Sequence, residues 1–176
     1  GVRGETTAES LLREGLPYDR CQVGVVSDRP ALTELAGFDI RDEDQLFNVL
    51  RTQVDVVLDA GTAVLNADDA RIADLARLSD GAVVLFSEQG HGEALQTHRD
   101  HGGRAVLVAG AQIVLAQGGQ QTPVIEVGAA PLARLLGLPG MNMTAVLAGI
   151  AAVLAYGVSP SLIRAALKTY AQRAHS

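Results

Sequence analysis

Apolar positions along the chain keep two rhythms, and the switch between them outlines the architecture. From Cys21 to Val26 they form a β-branched run of strand length with little alternation, which predicts a strand covered on both faces, as in a parallel sheet. From Asp42 onward Leu46, Val49, Leu50, Val54 and Val57 recur at helical spacing, behind three carboxylates, Asp42, Glu43 and Asp44. Negative charge at that end suits the helix dipole. The turn Asp59-Ala60-Gly61 leads into a second strand, Thr62 to Leu65. Asp69 to Leu78 predicts another helix, Ala82 to Phe86 a third strand, and Gly92 to His101 a short helix closed by Gly102-Gly103. Strand and helix alternating in this way predict right-handed crossovers on a parallel sheet.

The rhythm then changes. Arg104 to Ala109, Gln112 to Gln117 and Thr122 to Val127 are three strand-like runs joined by very short glycine-bearing links, which permit only antiparallel neighbours. Ala130 to Gly140 reads as a connector carrying Pro and Gly. Met141 to Tyr156 follows as an Ala-rich helix, with Asn142 or Thr144 near its start and Gly157 as its stop. Ser159-Pro160 opens a last helix, Ser161 to about Arg173. At the other end, Thr6 to Arg13 predicts a short helix capped by Thr6 or Thr7 and stopped by Gly15. Ser27 to Arg41 is a polar loop of functional character with room for a helical turn. The expected fold class is α/β in one domain. A parallel sheet with flanking helices fills about residues 1–103, a small antiparallel β-meander about 104–129, and two C-terminal helices about 141–175.

Composition narrows the function. Aromatics are 3% with no Trp, so the chain lacks a stacking platform for single-stranded nucleic acid. A formal charge of -6 and singly scattered basic residues argue against a phosphate-backbone binder. The longest apolar stretch, Met143 to Val158, is interrupted by Thr144, Gly149, Tyr156 and Gly157 and falls short of the roughly 20 residues of a membrane span. Neither nucleic acid nor membrane is therefore an expected partner. Cys21 stands alone, so no internal disulfide forms; it reads as a buried free thiol, and a cytoplasmic location is expected. The chain begins with Gly1 rather than Met, which suits a fragment of a longer polypeptide.

Candidate chemistry gathers at Thr62-Ala63-Val64-Leu65-Asn66-Ala67-Asp68-Asp69, an apolar run ending in an amide and two carboxylates. In an α/β protein, polar side chains beyond a strand's carboxyl end stand in the ligand crevice. The simpler account of Asp68 or Asp69 is a cap for the helix starting near Ala70. His98 and His101 share a helical face near His91, yet without a Cys partner or a well-placed third ligand a solvated surface outweighs a zinc site. The group Asp39, Asp42, Glu43, Asp44 is most simply a solvated helix start that could hold Mg²⁺ weakly. No Gly-x-Ser-x-Gly nucleophile motif occurs.

Two blocks carry a family resemblance. Leu11-Leu12-Arg13-Glu14-Gly15-Leu16-Pro17-Tyr18-Asp19-Arg20-Cys21-Gln22-Val23-Gly24-Val25-Val26 resembles a stretch of cyanophycin synthetase, in its Mur-ligase-like half. Thr62 to Asp69 resembles the next block of that domain at the expected distance, and the resemblance runs from about Glu5 to about Gln172. It implies the fold of a Mur-ligase central domain and an ATP-dependent ligase, in which a carboxylate becomes an acyl phosphate that an amine attacks. ATP and Mg²⁺ are the cofactors implied. Carried over by position, Asn66 is the residue contacting adenine, Asp69 the acidic end of the same motif, and Glu5 a metal ligand.

The departures concern the parts that do the chemistry. No G-x-x-x-x-G-K-[ST] occurs. Ala8-Glu9-Ser10 stands where the family has Arg-Gly-Gly; Ser27-Asp28 and Thr33-Glu34-Leu35-Ala36-Gly37 replace Thr-Asn and Asp-His-Leu-Gly; and Leu50 takes the place of a Lys. No catalytic residue is therefore assigned. The expected function is a degenerate or truncated ligase domain, not catalytic by itself, serving as a structural or oligomerisation module through the helix bearing Ala145, Ala148, Gly149 and Ala152. The alternatives are part of an active ATP-dependent amide ligase whose P-loop and lid lie elsewhere, or a nucleotide-binding regulatory domain. The expected partners are a second copy or the rest of a longer ligase chain.

Overall fold

The computed structural model describes residues 7–173, with side chains to 169. Helix α1 (Ala8–Glu14) starts at Thr7, whose hydroxyl accepts from Ser10 N at 3.1 Å while Ser10 Oγ accepts from Thr7 N at 2.9 Å. Gly15, at φ 74°, ends it. Strands β1 (Cys21–Val26), β2 (Val57–Asn66), β3 (Ala82–Ser87) and β4 (Arg104–Ala109) pair in parallel in chain order. β5 (Gln112–Gln117) and β6 (Gln120–Glu126) then continue the same sheet antiparallel from β4. Because each crossover steps in the same direction and is right-handed, α2 (Glu43–Asp55), α3 (Ala70–Asp74) and α4 (Glu93–Asp100) fall on one face. The opposite face is covered by α5 (Ala130–Leu136), α6 (Met143–Ala155) and α7 (Pro160–Arg173), which follow the last strand.

Two cores result, one on each side of the sheet. Ala63, Leu65, Leu85, Ala105 and Leu107 pack with Leu46, Leu50, Ile72, Leu75 and Leu95. The residues between them, Val64, Val84, Phe86 and Val106, pack with Leu147, Ile150 and Leu132. Successive strand residues point to opposite faces, so sequences apolar at both parities are what a sheet covered on both sides requires.

Several boundaries differ from the pattern. Val57 keeps helical spacing with Val54, yet α2 ends at Asp55 and Val57 begins β2, opposite Cys21. The expected turn at Asp59-Ala60-Gly61 is a bulge inside β2, where the register passes from Cys21↔Val57 to Val23↔Thr62. The expected connector contains helix α5: Pro131 stands in its first turn, where a missing N–H costs nothing, and Leu132 is fully buried. The single helix expected over Asp69 to Leu78 is α3 followed by a 3₁₀ turn, Leu75–Leu78. Ser27 to Arg41 holds a longer 3₁₀ segment, Leu32–Phe38. Pro123 lies in β6, the edge strand, beside a register shift opposite Ile113/Val114, a position where the missing donor is tolerated.

At the far end of β4, Gly103 lies against the His98 ring, so that a β-carbon there would come within 2.3 Å of Nε2. Gly103→Ala is expected to cost about 1–3 kcal/mol through overpacking, read as a lower urea midpoint at unchanged slope. Nε2 of His98 also lies 3.0 Å from Arg104 O. Burial pushes the His98 pKa below its ordinary 6.5, against the opposing pull of that backbone bond. The folded state therefore holds this imidazole neutral. Its contribution is complete above pH 6.5 and is lost as pH falls through the lowered value, because the unfolded chain takes up the proton first. Urea midpoints of wild type and His98→Gln compared between pH 7.5 and 5 should show the steeper acid loss in wild type; parallel curves would refute it.

Candidate functional site

The carboxyl ends of β1, β2 and β3 deliver Ser27, Asn66 and Ser87 to one edge of the sheet. A cavity of about 830 Å³ opens there, bounded by Ser27 to Thr33, Glu43, Asn66, Asp69 and the start of α6 at Asn142, Thr144 and Ala145. Asn66 and Asp69 thus share one wall. Glu5 lies outside the described residues.

Asn66 bridges the ends of two strands. Its Nδ2 donates to Ser27 O at 2.8 Å and its Oδ1 accepts from Asp68 N at 2.9 Å. One N–H and one acceptor lone pair of the amide remain for a ligand. Asp68 turns away from this cavity and holds the loop after β3: it accepts from Ser87 Oγ at 2.5 Å, Glu88 N at 2.6 Å and Gln89 N at 3.3 Å. Asp69 serves two purposes. Its Oδ1 accepts from Arg71 N at 2.9 Å and Ile72 N at 3.3 Å, capping α3, while Oδ2 accepts from Arg29 Nε at 2.5 Å.

Arg29 was not among the residues singled out by motif. It is the only cation between Arg20 and Arg41, and that solitary charge in a polar loop after a strand was the available signal. Its guanidinium lies between Asp69 and Glu43, which hold it firmly protonated. The three side chains are 34, 22 and 45% exposed, so water screens them. Arg29→Met is expected to change the unfolding free energy by less than about 1 kcal/mol; a loss of about twice that on urea titration would mean that the ion pairs are desolvated.

The other members of the acidic group Asp39, Asp42, Glu43, Asp44 also have individual partners. Asp42 caps α2 through Gln45 N at 2.8 Å, Asp44 pairs with Arg71 at 2.8 Å, and Asp39 pairs with Arg41 at 2.5 Å. Among the described residues no three His, Cys, Asp or Glu side chains converge as a metal site. His101 Nδ1 lies 2.7 Å from Thr97 O, and His98 is engaged at Arg104 O. Cys21 is half-buried rather than fully buried, and its thiol pKa is pushed up by that burial.

The cavity has the size of a small-molecule site, and the free edge of Asn66 suits a base. Asp28, Glu43 and Asp69 face the same space and offer the hard oxygens that Mg²⁺ takes. Among the described lining residues Arg29 is the one cation, already shared by two carboxylates, and Asn142 Oδ1 caps the nearby α6 N-terminus through Ala145 N at 2.8 Å. Phosphate oxygens placed here would depend on a metal ion for their compensating charge.

No protein-family model matches the sequence. Cyanophycin synthetase of Nostoc sp. is 31% identical over 166 residues, covering 94% of this chain and 18% of that protein. That of Trichormus variabilis matches to the same extent, and that of Crocosphaera subtropica is 30% identical over 94% of this chain and 19% of its own length. The chain is similar to one segment of these relatives and spans less than a fifth of their length. No helix among the described residues is long and apolar enough to cross a membrane.

Proposed function

We propose that this cyanophycin-synthetase-like chain is a single Mur-ligase-like core domain that does not catalyse ligation by itself and has become mainly structural. The observation that carries the reading is the commitment of the crevice's charge: among the described lining residues the one cation, Arg29, is shared by Asp69 and Glu43. A site prepared for transfer chemistry keeps charged donors directed at the place where charge develops; here those donors are spent on neighbours. Calorimetry of ATP with MgCl₂ is expected to give no binding tighter than millimolar and no gain from Mg²⁺. Micromolar binding with phosphate release on adding an amine and a carboxylate substrate would overturn the proposal. It would make the chain part of an active ATP-dependent amide ligase.

Self-association is a second reading, favoured by the C-terminal helices. An apolar groove of about 510 Å³ runs between α6 and α7, and Val153 and Leu162, 40 and 59% exposed, line it. Light scattering of the chain should give a mass of at least two copies; a mass of one copy at high micromolar concentration would remove this reading.

A further inference from the structure

A second hollow lies on the helical side of the sheet's other edge, between β6, the approach to α5, and α7. Its volume is about 450 Å³, and its wall is apolar: Pro123, Ile125, Ala129 and Pro131. Two cations reach it from α7, Arg164 and Lys168, one helical turn apart. It shares no lining residue with the crevice around Asn66.

Arg164 is the telling residue. Its Nε is buried without a hydrogen-bond partner, a state that buried donors seldom keep, since the desolvation of such a group goes uncompensated. Among the described residues neither Arg164 nor Lys168 takes part in an ion pair. Every ion pair described here satisfies an arginine, whereas Arg164 lines the hollow with its charge unpaired among the described residues and its Nε shielded from solvent. With Nε shielded, a guanidinium still offers one N–H from each terminal nitrogen as a parallel fork that matches a carboxylate.

We infer that this hollow binds a monocarboxylate with a compact aliphatic body, its oxygens on Arg164 with Lys168 as the second charge and its carbon chain against Pro123, Ile125, Ala129 and Pro131. Glu126, also at the hollow, offsets one of the two cations and leaves a net charge that a single negative group balances. That selects a monocarboxylate over a dianionic phosphate.

The test is an NMR titration of the ¹⁵N-labelled 176-residue chain with 4-methylpentanoate, following Arg164 Nε–H and the backbone amides of Val124 and Ile125. Inorganic phosphate and 3-methylbutylamine are titrated in parallel. The expected result is saturable shifts at these resonances with the carboxylate in the millimolar range, weakened about tenfold or more in Arg164→Met, the loss of a charge-assisted pair. Phosphate should bind at least tenfold more weakly, and the amine should leave the resonances unmoved. Should Arg164→Met fail to fold, Lys168→Met carries the test, because Lys168 is exposed; it should weaken binding several-fold. Shifts that do not saturate, an affinity unchanged in both variants, or phosphate binding as tightly as the carboxylate would each overturn the inference.

Discussion

Replacing Phe86 with alanine is expected to lower the unfolding free energy by about 3–5 kcal/mol, the largest effect of any single substitution considered. Phe86 is fully buried within the core formed by Val64, Val84, Val106, Leu147 and Ile150. It occupies the next-to-last position of β3, opposite Asn66 on β2, and its carbonyl accepts from Ala67 N at 2.8 Å. The substitution keeps that backbone bond and removes only the ring, so the loss measures how firmly α6 seals this face. A domain of this size is stable by about 5–15 kcal/mol, so a large share of the total is at stake. Tyr156→Ala is the matched control: an aromatic 64% exposed is expected to shift stability by no more than about 0.5 kcal/mol. Urea titration decides it. A Phe86→Ala loss below about 1 kcal/mol would mean that the sheet and the C-terminal helices are not closely packed.

The second large effect is Asp68→Ala, expected to cost about 2–3 kcal/mol, more than Asp69→Ala at about 1 kcal/mol for a lost helix cap. Asp68 collects the Ser87 hydroxyl and the Glu88 and Gln89 amides, and Ser87 Oγ in turn accepts from Gly90 N at 2.8 Å. Gly90 has φ 72°, and a β-carbon there would lie 2.1 Å from Val108 O. A side chain at this position is therefore excluded by β4. Removing its anchor should raise amide hydrogen exchange at Glu88, Gln89 and Gly90 well before the rest of β3. Exchange at those amides equal to wild type would show that the loop is held by something other than Asp68.

Both effects bear on how much of the site can be read without coordinates. The motif ending in Asn66, Asp68 and Asp69 identified the crevice edge, because a strand must end before its polar residues can leave the sheet. The similarity to cyanophycin synthetase ranked Asp69 as the nucleotide-side carboxylate, whereas Asp68 carries the denser hydrogen-bond network. Adjacent residues with the same chemistry differ only in which way the turn directs them. The helical spacing of Val57 with Val54 and the Pro in Ala130 to Gly140 misled for a related reason. Periodicity and breakers report local preference, and pairing with Cys21 or burial of Leu132 overrides it.

What the chain settles locally is the order and kind of its elements. Apolar runs at both parities require a sheet buried on two faces, glycine-bearing links only two residues long require the antiparallel continuation of β4 through β6, and Thr7, Asp42, Asp69 and Asn142 stop or start helices through their own side chains. What only folding settles is which polar groups neutralise one another. Arg29 and Asp69 are separated by 40 residues, and Asn66 takes Ser27 O, 39 residues away. Parallel crossovers bring such distant loops to one end of the sheet whatever their spacing. Where the crevice lies is therefore legible in the sequence, while the pairing of its arginine, seen among the described residues, is a property of the assembled structure.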